Sequence, residues 1–458
     1  MKVHFIAIGG SAMHNLAIAL KLKGYDVTGS DDEIFEPARG RLNKYDILPF
    51  KEGWDAGRIT NDLDAIILGM HARQDNPELV KARELGIKIY SYPEYLYEAS
   101  KDKTRVVVAG SHGKTTITSM VLHVMQNAGI EVDYMVGAQL EGFEVMVKLT
   151  DDSKYMILEG DEYLSSTLDT RPKFHLYKPH IALLSGIAWD HMNVFPTFDN
   201  YVNQFEQFIH LIEPGGSLIY CTSDPVVKRI SRKARKDIIL IPYGNLTYRV
   251  HDQKVYILIG EEELPLMVFG KHNVQNVQGA WKICRKIGVD DETFLKAIST
   301  FTGASKRLQL LNKTNDSAVY KDFAHSPSKL KATIEAIKEL YPERELVACL
   351  ELHTFSSLNK AFLPQYRGCM NLADNPIVYF SHHALALKRL PELTGEEVKS
   401  AFGNNRLNIY NDSAKMQQDL LRIDYHNKNL LLMSSGNFDG LDMDELAEKV
   451  IKSMGLRA

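Results

Sequence analysis

Short apolar runs alternate with amphipathic segments along the first hundred residues. The run VHFIAI is followed by a glycine turn, by the amphipathic segment MHNLAIALKLKG and by a second apolar run, YDVTGSD. The segments LDAIILG, NPELVKARELG and IKIYS repeat this order over residues 63 to 91. Alternation of strand and helix patterns is typical of a parallel sheet with crossover helices. The pattern predicts an α/β domain over residues 1–103.

The same order restarts after Asp102 and Lys103. The apolar run TRVVVAG predicts a strand, and TTITSMVLHVMQNAG predicts a helix that stops at Gly129. This second α/β pattern extends to residue 302, which predicts a domain over residues 104–302.

A third α/β pattern occupies the rest of the chain. It opens at AVYKDFA, continues with the helical segment SKLKATIEAIKEL, and adds the strand patterns ELVACLEL, PIVYFS and NLLLMSS. The predicted third domain covers residues 303–458. The fold class expected for the whole chain is therefore α/β, with three domains in series.

Composition changes this picture little. The 458 residues are 45% hydrophobic and 24% charged, and a length of this size is expected to form about three domains. The net charge of -4 gives no bias towards nucleic acid or a membrane surface, and the basic run KRISRKARK at 228 to 236 is interpreted as a solvated helix face. Four cysteines without a CxxC pair indicate free thiols in a reducing, cytoplasmic compartment.

The apolar N-terminus invites comparison with a signal peptide. Residues 3 to 20 carry no charge, but Gly9, Gly10, His14 and Asn15 interrupt the continuous apolar stretch that a signal peptide needs. A strand, a glycine turn and a helix explain the segment better. No other segment is long and apolar enough to predict a membrane span.

The stretch VVVAGSHGKTTITSM, residues 106 to 120, resembles a shortened phosphate-binding loop. The common loop needs a glycine where Val108 stands, and the nearby glycine is Gly110 instead. A strand, a tight turn and a helix still place backbone N–H groups and a helix N-terminus around an anion. Lys114 is then expected to reach the outer phosphates of a nucleotide, and Thr115 to hold Mg²⁺ through its hydroxyl.

The turn AIGGSAM is a weaker signal for a second phosphate site. A GxGxxG dinucleotide motif needs glycine at Ala7 and Ala12, so only Gly9 fits. Asp31 ends the second predicted strand, where NAD enzymes keep the acid that binds ribose. Both an NAD-binding domain and a turn that binds some other diphosphate are compatible with these residues.

Acidic residues follow the phosphate loop in two clusters. The predicted strand KYMILEGDEY ends at Glu159, with Asp161 and Glu162 beyond it, and the stretch GIAWDHMNVF is interpreted as the end of another strand, at Asp190 and His191. Acidic residues at strand ends in a phosphate-loop domain can coordinate Mg²⁺ directly or through water. We therefore expect a magnesium site at this edge of the sheet.

Several polar residues further along the chain are candidates for nucleotide contacts. Asn273 and Asn276 lie three apart at a predicted helix start, where amides can either read an adenine edge or cap the helix. The remaining candidates belong to the third predicted domain: Arg307, Asp322, His325 and Ser326.

Five motifs in this order and spacing resemble the Mur ligases of peptidoglycan synthesis: GSHGKTT, LEGDEY, WDH, GKHNVQN and KDFAHSP. The phosphate loop of that family is the short form G-T-x-G-K-T, with Ser111 here in place of its threonine. The resemblance covers essentially the whole chain. It implies the three-domain Mur ligase architecture, with an N-terminal Rossmann-like domain, a central phosphate-loop ATPase and a C-terminal Rossmann-like domain.

The resemblance also implies roles for individual residues in ATP-driven amide bond formation. Lys114, Glu159 and His191 are the implied catalytic residues, and Thr115, Glu159 and His191 the implied Mg²⁺ ligands. The implied ATP site comprises Gly110, Ser111, His112, Gly113, Lys114, Thr115, Thr116, Asn273, Asn276, Arg307 and Asp322. The implied site for the UDP-sugar comprises Gly9, Gly10, Ser11 and Asp31.

Within the family, the N-terminal motif resembles the two members that act directly on UDP-N-acetylmuramate. One adds L-alanine, and the other adds the murein tripeptide L-alanyl-γ-D-glutamyl-meso-diaminopimelate. Segments at 72–79, 161–179 and 433–441 resemble the tripeptide branch, which recycles peptidoglycan, more closely. HTFSSLNKAFLP at 353 to 364 and Ser326 depart from that branch.

The resemblance also bears on residues outside the five motifs, and it leaves alternative functions open. Phe205 falls near the position of the carbamylated lysine of other members, and the two UDP-N-acetylmuramate ligases lack that lysine. Lys360 and Arg367 are candidates for binding the distal carboxylate of a tripeptide, although a surface role is simpler for each. The L-alanine ligase stays open as the alternative. A non-catalytic UDP-sugar sensor and an NAD dehydrogenase are more remote.

Overall fold

The computed structural model of the chain describes residues 1–70, 72–138, 143–166, 168–304 and 307–455, with side chains up to residue 452. The chain divides into two compact units. The first contains Met1–Ile187, Val202–Gly244 and Gly279–Phe294. The second contains Ala188–Tyr201, Asn245–Gln278 and the chain from Leu295 onward.

The first unit opens with a four-stranded parallel sheet in the strand order β2-β1-β3-β4. Its strands are β1 (Lys2–Ile6), β2 (Asp26–Ser30), β3 (Ala65–Leu68) and β4 (Ile89–Ser91). The accompanying helices are α1 (Ser11–Leu22), α2 (Ala38–Lys44), α3 (Pro77–Glu84) and α4 (Tyr92–Ser100). The four strands and helices α1 and α3 match the prediction made from the apolar runs, which did not include α2 and α4.

A seven-stranded sheet follows in the same unit, in the order β11-β10-β9-β5-β8-β6-β7. Its strands are β5 (Thr104–Ala109), β6 (Asp133–Met135), β7 (Val147–Lys148), β8 (Tyr155–Gly160), β9 (Ile181–Leu184), β10 (Ser217–Cys221) and β11 (Ile239–Tyr243). The helices that begin in this stretch of chain or follow it are α5 (Lys114–Asn127), α6 (Phe198–His210), α7 (Pro225–Ser231), α8 (Lys271–Ile287) and α9 (Asp291–Ile298). All neighbouring strands are parallel except β6 and β7, which pair antiparallel.

The central position of β5 explains its sequence. The side chains from Val106 to Ala109 have no solvent exposure, because the strand lies between β9 and β8 with both of its faces covered. Parallel strands of this kind are near-continuous apolar runs rather than alternating ones. The run VVVA therefore ends at the sheet edge where the phosphate loop begins.

The second unit contains two further sheets. An antiparallel sheet is formed by β12 (Tyr248–His251), β13 (Lys254–Ile259) and β14 (Glu262–Leu266). A six-stranded sheet, in the order β15-β16-β20-β17-β18-β19, is formed by β15 (Gln309–Lys313), β16 (Ala318–Asp322), β17 (Glu345–Leu352), β18 (Asn375–Phe380), β19 (Asn408–Tyr410) and β20 (Lys428–Met433). Only β15 is antiparallel to its neighbour in this second sheet.

Helices cover the six-stranded sheet. They are α10 (Pro327–Leu340), α11 (Phe355–Leu358), α12 (His382–Leu387), α13 (Gly395–Phe402), α14 (Ser413–Arg422) and α15 (Met443–Gly455). Two groups of buried apolar side chains, one containing Leu350 and the other Cys349, pack on the sheet through alternate residues of β17. The α/β class is thus confirmed, and the sheet within residues 1–103 is parallel as predicted. The domain bounds stay a prediction.

Three details of the sequence interpretation are corrected. The strands β6, β7, β10 to β15 and β19 were not predicted. The apolar strand assigned to the approach to Asp190 ends earlier, at Leu184, because the chain leaves the sheet there and turns towards the phosphate loop. The basic run at 228 to 236 is only partly helical, since α7 ends at Ser231.

Two other observations concern the whole described chain. Among the described residues, no helix has the length and apolar character needed to cross a membrane. All four cysteines are buried as free thiols.

Candidate active site

The phosphate loop connects β5 to α5 through two glycines with positive φ. Gly110 has a φ of 133° and Gly113 a φ of 79°, which are backbone conformations that residues other than glycine rarely adopt. Helix α5 begins directly afterwards, at Lys114, so Thr115 and Thr116 lie in its first turn. The N-terminus of this helix and the N–H groups of the turn form the anion-binding arrangement expected from the sequence.

The segment that follows β9 shapes this loop. The backbone N–H of Ser111 donates to the carbonyl of Gly186 over 2.8 Å, and the Ser185 hydroxyl donates to the carbonyl of His112. A Cβ at Gly110 would lie 2.2 Å from Ser185 Oγ, and a Cβ at Gly186 would lie 2.3 Å from the His112 ring. Glycine is therefore required at both positions, and the sequence interpretation missed Ser185 and Gly186 as parts of the site.

Lys114 is held in place by the protein itself. Its Nζ donates to the carbonyl of Gly110 over 2.7 Å and forms an ion pair with Glu162, whose side chain is almost completely buried. Burial opposes the charge on the lysine, but Glu162, Asp161 and Glu159 outweigh it and raise the pKa of Lys114. The lysine is thus positively charged and already points along the loop that would hold phosphates.

Thr115 and Glu159 form the arrangement that the magnesium hypothesis requires. The Thr115 hydroxyl donates to Glu159 Oε1 over 2.8 Å, and the Gly137 N–H donates to Glu159 Oε2 over 2.8 Å. Two oxygen ligands this close can share one coordination sphere, and Mg²⁺ is usually held by one or two protein oxygens plus phosphate and water. The described residues contain no group of three or more His, Cys, Asp or Glu side chains able to hold a metal.

Asp190 and His191 lie in the second unit, together with His325. The Asp190 carboxylate accepts from the backbone N–H of His191 over 2.8 Å, and its Oδ2 lies 3.8 Å from His325 Nε2. Burial lowers the pKa of His325 to about 3, aided by the nearby Lys329, so its imidazole is neutral at pH 7. His191 has a φ of 54°, a left-handed conformation that is uncommon outside glycine and asparagine. Its role as a metal ligand stays a prediction.

The candidates for adenine recognition are also in the second unit. Asn273 donates to the carbonyl of Phe269 over 2.9 Å, and Asn276 donates to the Asn273 amide oxygen over 3.3 Å, with both side chains nearly buried. Each amide thus makes at least one hydrogen bond within the helix start. Contact with adenine stays a prediction for both.

Arg307 and Asp322 lie in the same unit, and each contacts a residue that is adjacent in sequence to the other. The guanidinium of Arg307 lies over the ring of Phe323, 5.0 Å from its centroid. Asp322 accepts from the backbone N–H of Leu308 over 3.2 Å and from the Thr333 hydroxyl over 2.5 Å. Asp322 therefore anchors the chain beside Arg307, and a nucleotide contact by either residue stays a prediction.

The N-terminal glycine turn is built around Asp31. Asp31 accepts from the backbone N–H of Gly9 over 2.7 Å, and burial, together with Asp32, raises its pKa to about 6. Ala7, at a position where a dinucleotide motif has glycine, adopts a φ of 68°. Gly10 precedes the first residue of α1, Ser11, which is exposed. This turn can accept a diphosphate at a helix N-terminus.

Three other predicted positions are placed by the structure. Phe205 is fully buried and packs against Phe174, with ring centroids 5.3 Å apart, so no group able to coordinate a metal stands there. Lys360 forms an ion pair with Glu397 over 2.6 Å, and Arg367 is exposed. Both side chains have the surface placement that the sequence interpretation favoured.

A phosphate loop with a charged lysine, inside a chain of three mainly parallel α/β sheets, indicates a nucleotide-dependent enzyme. The family comparisons identify the type. The Mur ligase family catalytic domain matches residues 2–104, and the Mur ligase middle domain matches residues 108–284. The chain belongs to the Mur ligase family, and it is accordingly an ATP-dependent ligase that forms amide bonds.

Individual relatives are similar over most of their length. A UDP-N-acetylmuramate–L-alanine ligase of Caldicellulosiruptor bescii is 32% identical, with 82% of this chain and 83% of the relative covered. The enzyme of the same description from Desulforamulus reducens is 31% identical, with 79% of each chain covered.

Solved structures with the same fold include members of both UDP-N-acetylmuramate branches. A UDP-N-acetylmuramate–alanine ligase of Thermotoga maritima matches with a TM-score of 0.70 and 20% identity, covering 100% of each chain. A murein peptide ligase of Psychrobacter arcticus matches with a TM-score of 0.66 and 22% identity, covering 99% of each chain. A UDP-N-acetylmuramate:L-alanyl-γ-D-glutamyl-meso-diaminopimelate ligase of Neisseria meningitides is 25% identical, with a TM-score of 0.58, covering 66% of this chain and 98% of that chain.

Proposed function

We propose that this enzyme joins the lactyl carboxylate of UDP-N-acetylmuramate to the α-amine of L-alanyl-γ-D-glutamyl-meso-diaminopimelate, at the expense of ATP. The observation that carries the ligase chemistry is the paired arrangement at the phosphate loop. Thr115 hydrogen-bonds to Glu159 and Lys114 pairs with Glu162. The candidate metal ligands and the candidate phosphate-binding cation therefore lie together where the start of α5 meets the end of β8.

The reaction needs an activated carboxylate, because a carboxylate ion is a poor electrophile. A lactyl carboxylate oxygen attacks the γ-phosphorus of ATP, the bond to the β-phosphate oxygen breaks, and ADP leaves. The acyl phosphate is then attacked at its acyl carbon by the neutral amine. The resulting tetrahedral intermediate expels phosphate and loses a proton to give the amide.

Lys114 and the N–H groups of the turn bring the two anions together. Phosphoryl transfer is catalysed mainly by positioning and by neutralising charge on the transferred group. When phosphate binds, the Lys114 ammonium exchanges part of its contact with the Gly110 carbonyl and Glu162 for phosphate oxygens. Glu162 thus keeps the lysine charged and oriented before the nucleotide arrives.

Mg²⁺ would be held by Thr115 and Glu159, with His191 as ligand of a second ion. The metal supplies positive charge that offsets the charge of the phosphates. Gly137 fixes the Glu159 carboxylate through its N–H, which leaves the carboxylate oriented towards Thr115. Asn273 and Asn276 would contact adenine, and Arg307 and Asp322 would contact the nucleotide.

The UDP diphosphate would lie at the N-terminus of α1, against Gly9, Gly10 and Ser11. Helix N-termini favour phosphate through their free N–H groups and the helix dipole. Asp31 would stand near the sugar or the base, since its carboxylate is already bonded to the Gly9 N–H. The N-terminal domain would therefore bind the UDP part of UDP-N-acetylmuramate.

The tripeptide assignment is supported by two observations. The segments at 161–179 and 433–441 resemble the recycling branch in sequence. The Neisseria meningitides ligase, whose description names this tripeptide, is 25% identical.

L-Alanine is the second candidate for the amine substrate. It is supported by the sequence relatives, which at 28% to 32% identity are described as UDP-N-acetylmuramate–L-alanine ligases. The two candidates share the acyl phosphate step and differ only in the nucleophile.

Phosphate release from ATP, measured with Mg²⁺ and UDP-N-acetylmuramate, separates the candidates. Release with the tripeptide and not with L-alanine supports the proposed recycling reaction. Release with L-alanine alone overturns the tripeptide assignment in favour of de novo synthesis. No release with either amine, while the protein still binds ATP and the UDP-sugar, contradicts the ligase proposal for these substrates and favours a sensor.

A further inference from the structure

Asn15 stands on α1, four residues after Ser11, and its side chain is almost fully buried. All its hydrogen-bonding groups are used. Its Nδ2 donates to the carbonyl of Ser11 over 2.8 Å and approaches His14 Nε2 at 3.2 Å, and its Oδ1 accepts from the backbone N–H of Met146 over 3.1 Å. These partners fix which end of the amide carries the nitrogen.

His14 reinforces the same arrangement. Its Nδ1 lies 2.9 Å from the carbonyl of Gly10, and burial lowers its pKa, so the ring is neutral. A neutral ring that donates through Nδ1 accepts through Nε2, which is the atom that faces the Asn15 amide. The proposed function assigns the first turn of α1 to the UDP diphosphate. The side chains of His14 and Asn15 both bond to backbone carbonyls at this turn, those of Gly10 and Ser11, and they also contact each other.

The hydrogen bond between Asn15 and Met146 is the first of a series of hydrogen bonds that ends at the candidate metal site. The Met146 carbonyl accepts from the N–H of Val136 over 3.0 Å. The next residue, Gly137, donates its N–H to Glu159 Oε2, and Glu159 Oε1 accepts from Thr115. Every member of this path lies in the first compact unit.

The path consists of few hydrogen bonds, although it joins residues that are far apart in the sequence. Asn15 and Met146 are 131 residues apart, and the Asn15 amide is their hydrogen-bonded connection. A parallel contact strengthens it, because Arg41 on α2 donates to the carbonyl of Glu144 over 2.8 Å. A shift of the first turn of α1 is thus transmitted to the backbone that orients the Glu159 carboxylate.

We propose that Asn15 is a positioning residue that couples binding of the UDP moiety at the first turn of α1 to binding of the magnesium nucleotide at Thr115 and Glu159, through its hydrogen bond to Met146. The inference rests on the proposed function, which places the diphosphate at this turn. Coupling of this kind is reciprocal, so each ligand raises the affinity of the protein for the other by the same factor.

Calorimetric titration of Mg²⁺–ADP, with and without saturating UDP, measures this factor. These two probes lack both the γ-phosphate and the lactyl carboxylate, so they avoid direct contact between the reacting groups. We expect UDP to lower the dissociation constant of Mg²⁺–ADP about fivefold or more in the unaltered enzyme. We expect no change in Asn15→Leu, with Asn15→Ala as a second variant should the first fold poorly.

Two control variants isolate the cross-element bond. Asn127→Leu removes an asparagine on α5 that also donates to a carbonyl four residues earlier, His123 O at 2.8 Å, and contacts the ring of that histidine. It should keep the coupling factor. Asn15→Asp retains an acceptor for the Met146 N–H while removing both donors, and it should keep the part of the factor that the Met146 bond transmits, because the helix backbone still joins residue 15 to Ser11.

Three results overturn the inference. The first is a coupling factor of one in the unaltered enzyme, although it binds both probes. The second is a coupling factor that is unchanged in Asn15→Leu and Asn15→Ala. The third is a loss of the coupling factor in Asn127→Leu as large as the loss in Asn15→Leu. Weaker binding of each probe with the factor preserved would likewise assign Asn15 a purely structural role. Failure of the unaltered enzyme to bind UDP at all overturns the proposed nucleotide site together with this inference.

Discussion

The hydroxyl of Thr115 donates to Oε1 of Glu159 over 2.8 Å, which joins the first turn of α5 to the end of β8. The two residues are 44 positions apart in the chain and meet because β5 and β8 are neighbouring parallel strands. Thr115 and Glu159 are the residues that would hold Mg²⁺, which would supply positive charge to offset the phosphates. The site is therefore oriented before the metal binds.

Glu159→Gln should weaken binding of Mg²⁺ in the presence of ADP by about 10- to 100-fold. The amide removes the negative charge and leaves one of the two N–H or O–H donors without an acceptor. ADP titrations over a range of Mg²⁺ concentrations measure the effect. Glu131→Gln, which alters an exposed carboxylate paired with Lys148, should leave the Mg²⁺ dependence unchanged. Equal behaviour of the two variants would contradict the assignment of Glu159 to the metal.

Lys114→Met should lower the free energy of unfolding by about 3 kcal/mol, since it removes the cation that pairs with the nearly buried Glu162 carboxylate. The double variant Lys114→Met with Glu162→Gln should recover more than half of that loss, because the negative charge that Lys114 offsets is then removed as well. Denaturant unfolding of the two variants and the unaltered enzyme provides the comparison.

The matched control is a surface pair. Lys101→Met breaks the exposed contact of Lys101 with Glu98, 2.8 Å long, and should leave stability almost unchanged, because solvent screens an exposed ion pair. If Lys114→Met also costs no more than this, or if the second substitution recovers nothing, the buried pair does not contribute as stated.

Asp31 should make the protein less stable as the pH rises from 4 to 7. Its pKa in the folded chain is about 6, against 3.8 for the ordinary group, because burial and Asp32 disfavour the charge. A carboxyl whose pKa is raised by folding contributes stability below its unfolded pKa and loses it as the pH passes the folded pKa. The stability of the unaltered enzyme minus that of Asp31→Asn should fall by up to about 3 kcal/mol over this range.

Unfolding free energies at several pH values test this sign. Glu33→Gln removes an exposed carboxylate two residues away and should leave the pH dependence as it is in the unaltered enzyme. A difference between Asp31→Asn and the unaltered enzyme that stays constant, or grows with pH, would show that the Asp31 carboxylate is not disfavoured by folding.

Ala7→Gly should leave the free energy of unfolding unchanged or raise it by up to about 1 kcal/mol. Ala7 has a φ of 68°, where a side chain costs about 1–2 kcal/mol, and glycine removes that cost while adding freedom to the unfolded chain. Ala12→Gly, in α1, should instead cost up to about 1 kcal/mol. Comparable losses for the two substitutions in thermal or denaturant unfolding would refute the strain at Ala7.

The local elements could be predicted from the sequence because their signals are local. The apolar run from Val106 to Ala109, the glycines at 110 and 113, and the helical periodicity after Lys114 each act within a few residues. The same holds for the N-terminal turn and for β16, β17, β18 and β20 of the six-stranded sheet. The hairpins of β12 to β14 were missed although they carry a local signal, a tight turn at Asp252 and Gln253, both with positive φ.

The partners of these elements depend on the order of strands in the sheet, which no local pattern contains. Because β5 lies between β9 and β8, the loop after it contacts Ser185 and Gly186 on one side and Glu159 and Glu162 on the other. The interpretation of the approach to Asp190 as a strand was wrong for the same reason, since the chain leaves β9 at Leu184 to reach that loop.

The sequence by itself determined which residue types stand where each strand ends, and with them the class of chemistry at the phosphate loop. Only the tertiary structure decided which of those side chains meet. The pairing of Lys114 with Glu162 and the bond from Asn15 to Met146 are set by strand order and helix packing, since both are contacts between residues far apart in the chain. Chain connectivity specifies the turns, whereas burial of the apolar strand faces selects the neighbours.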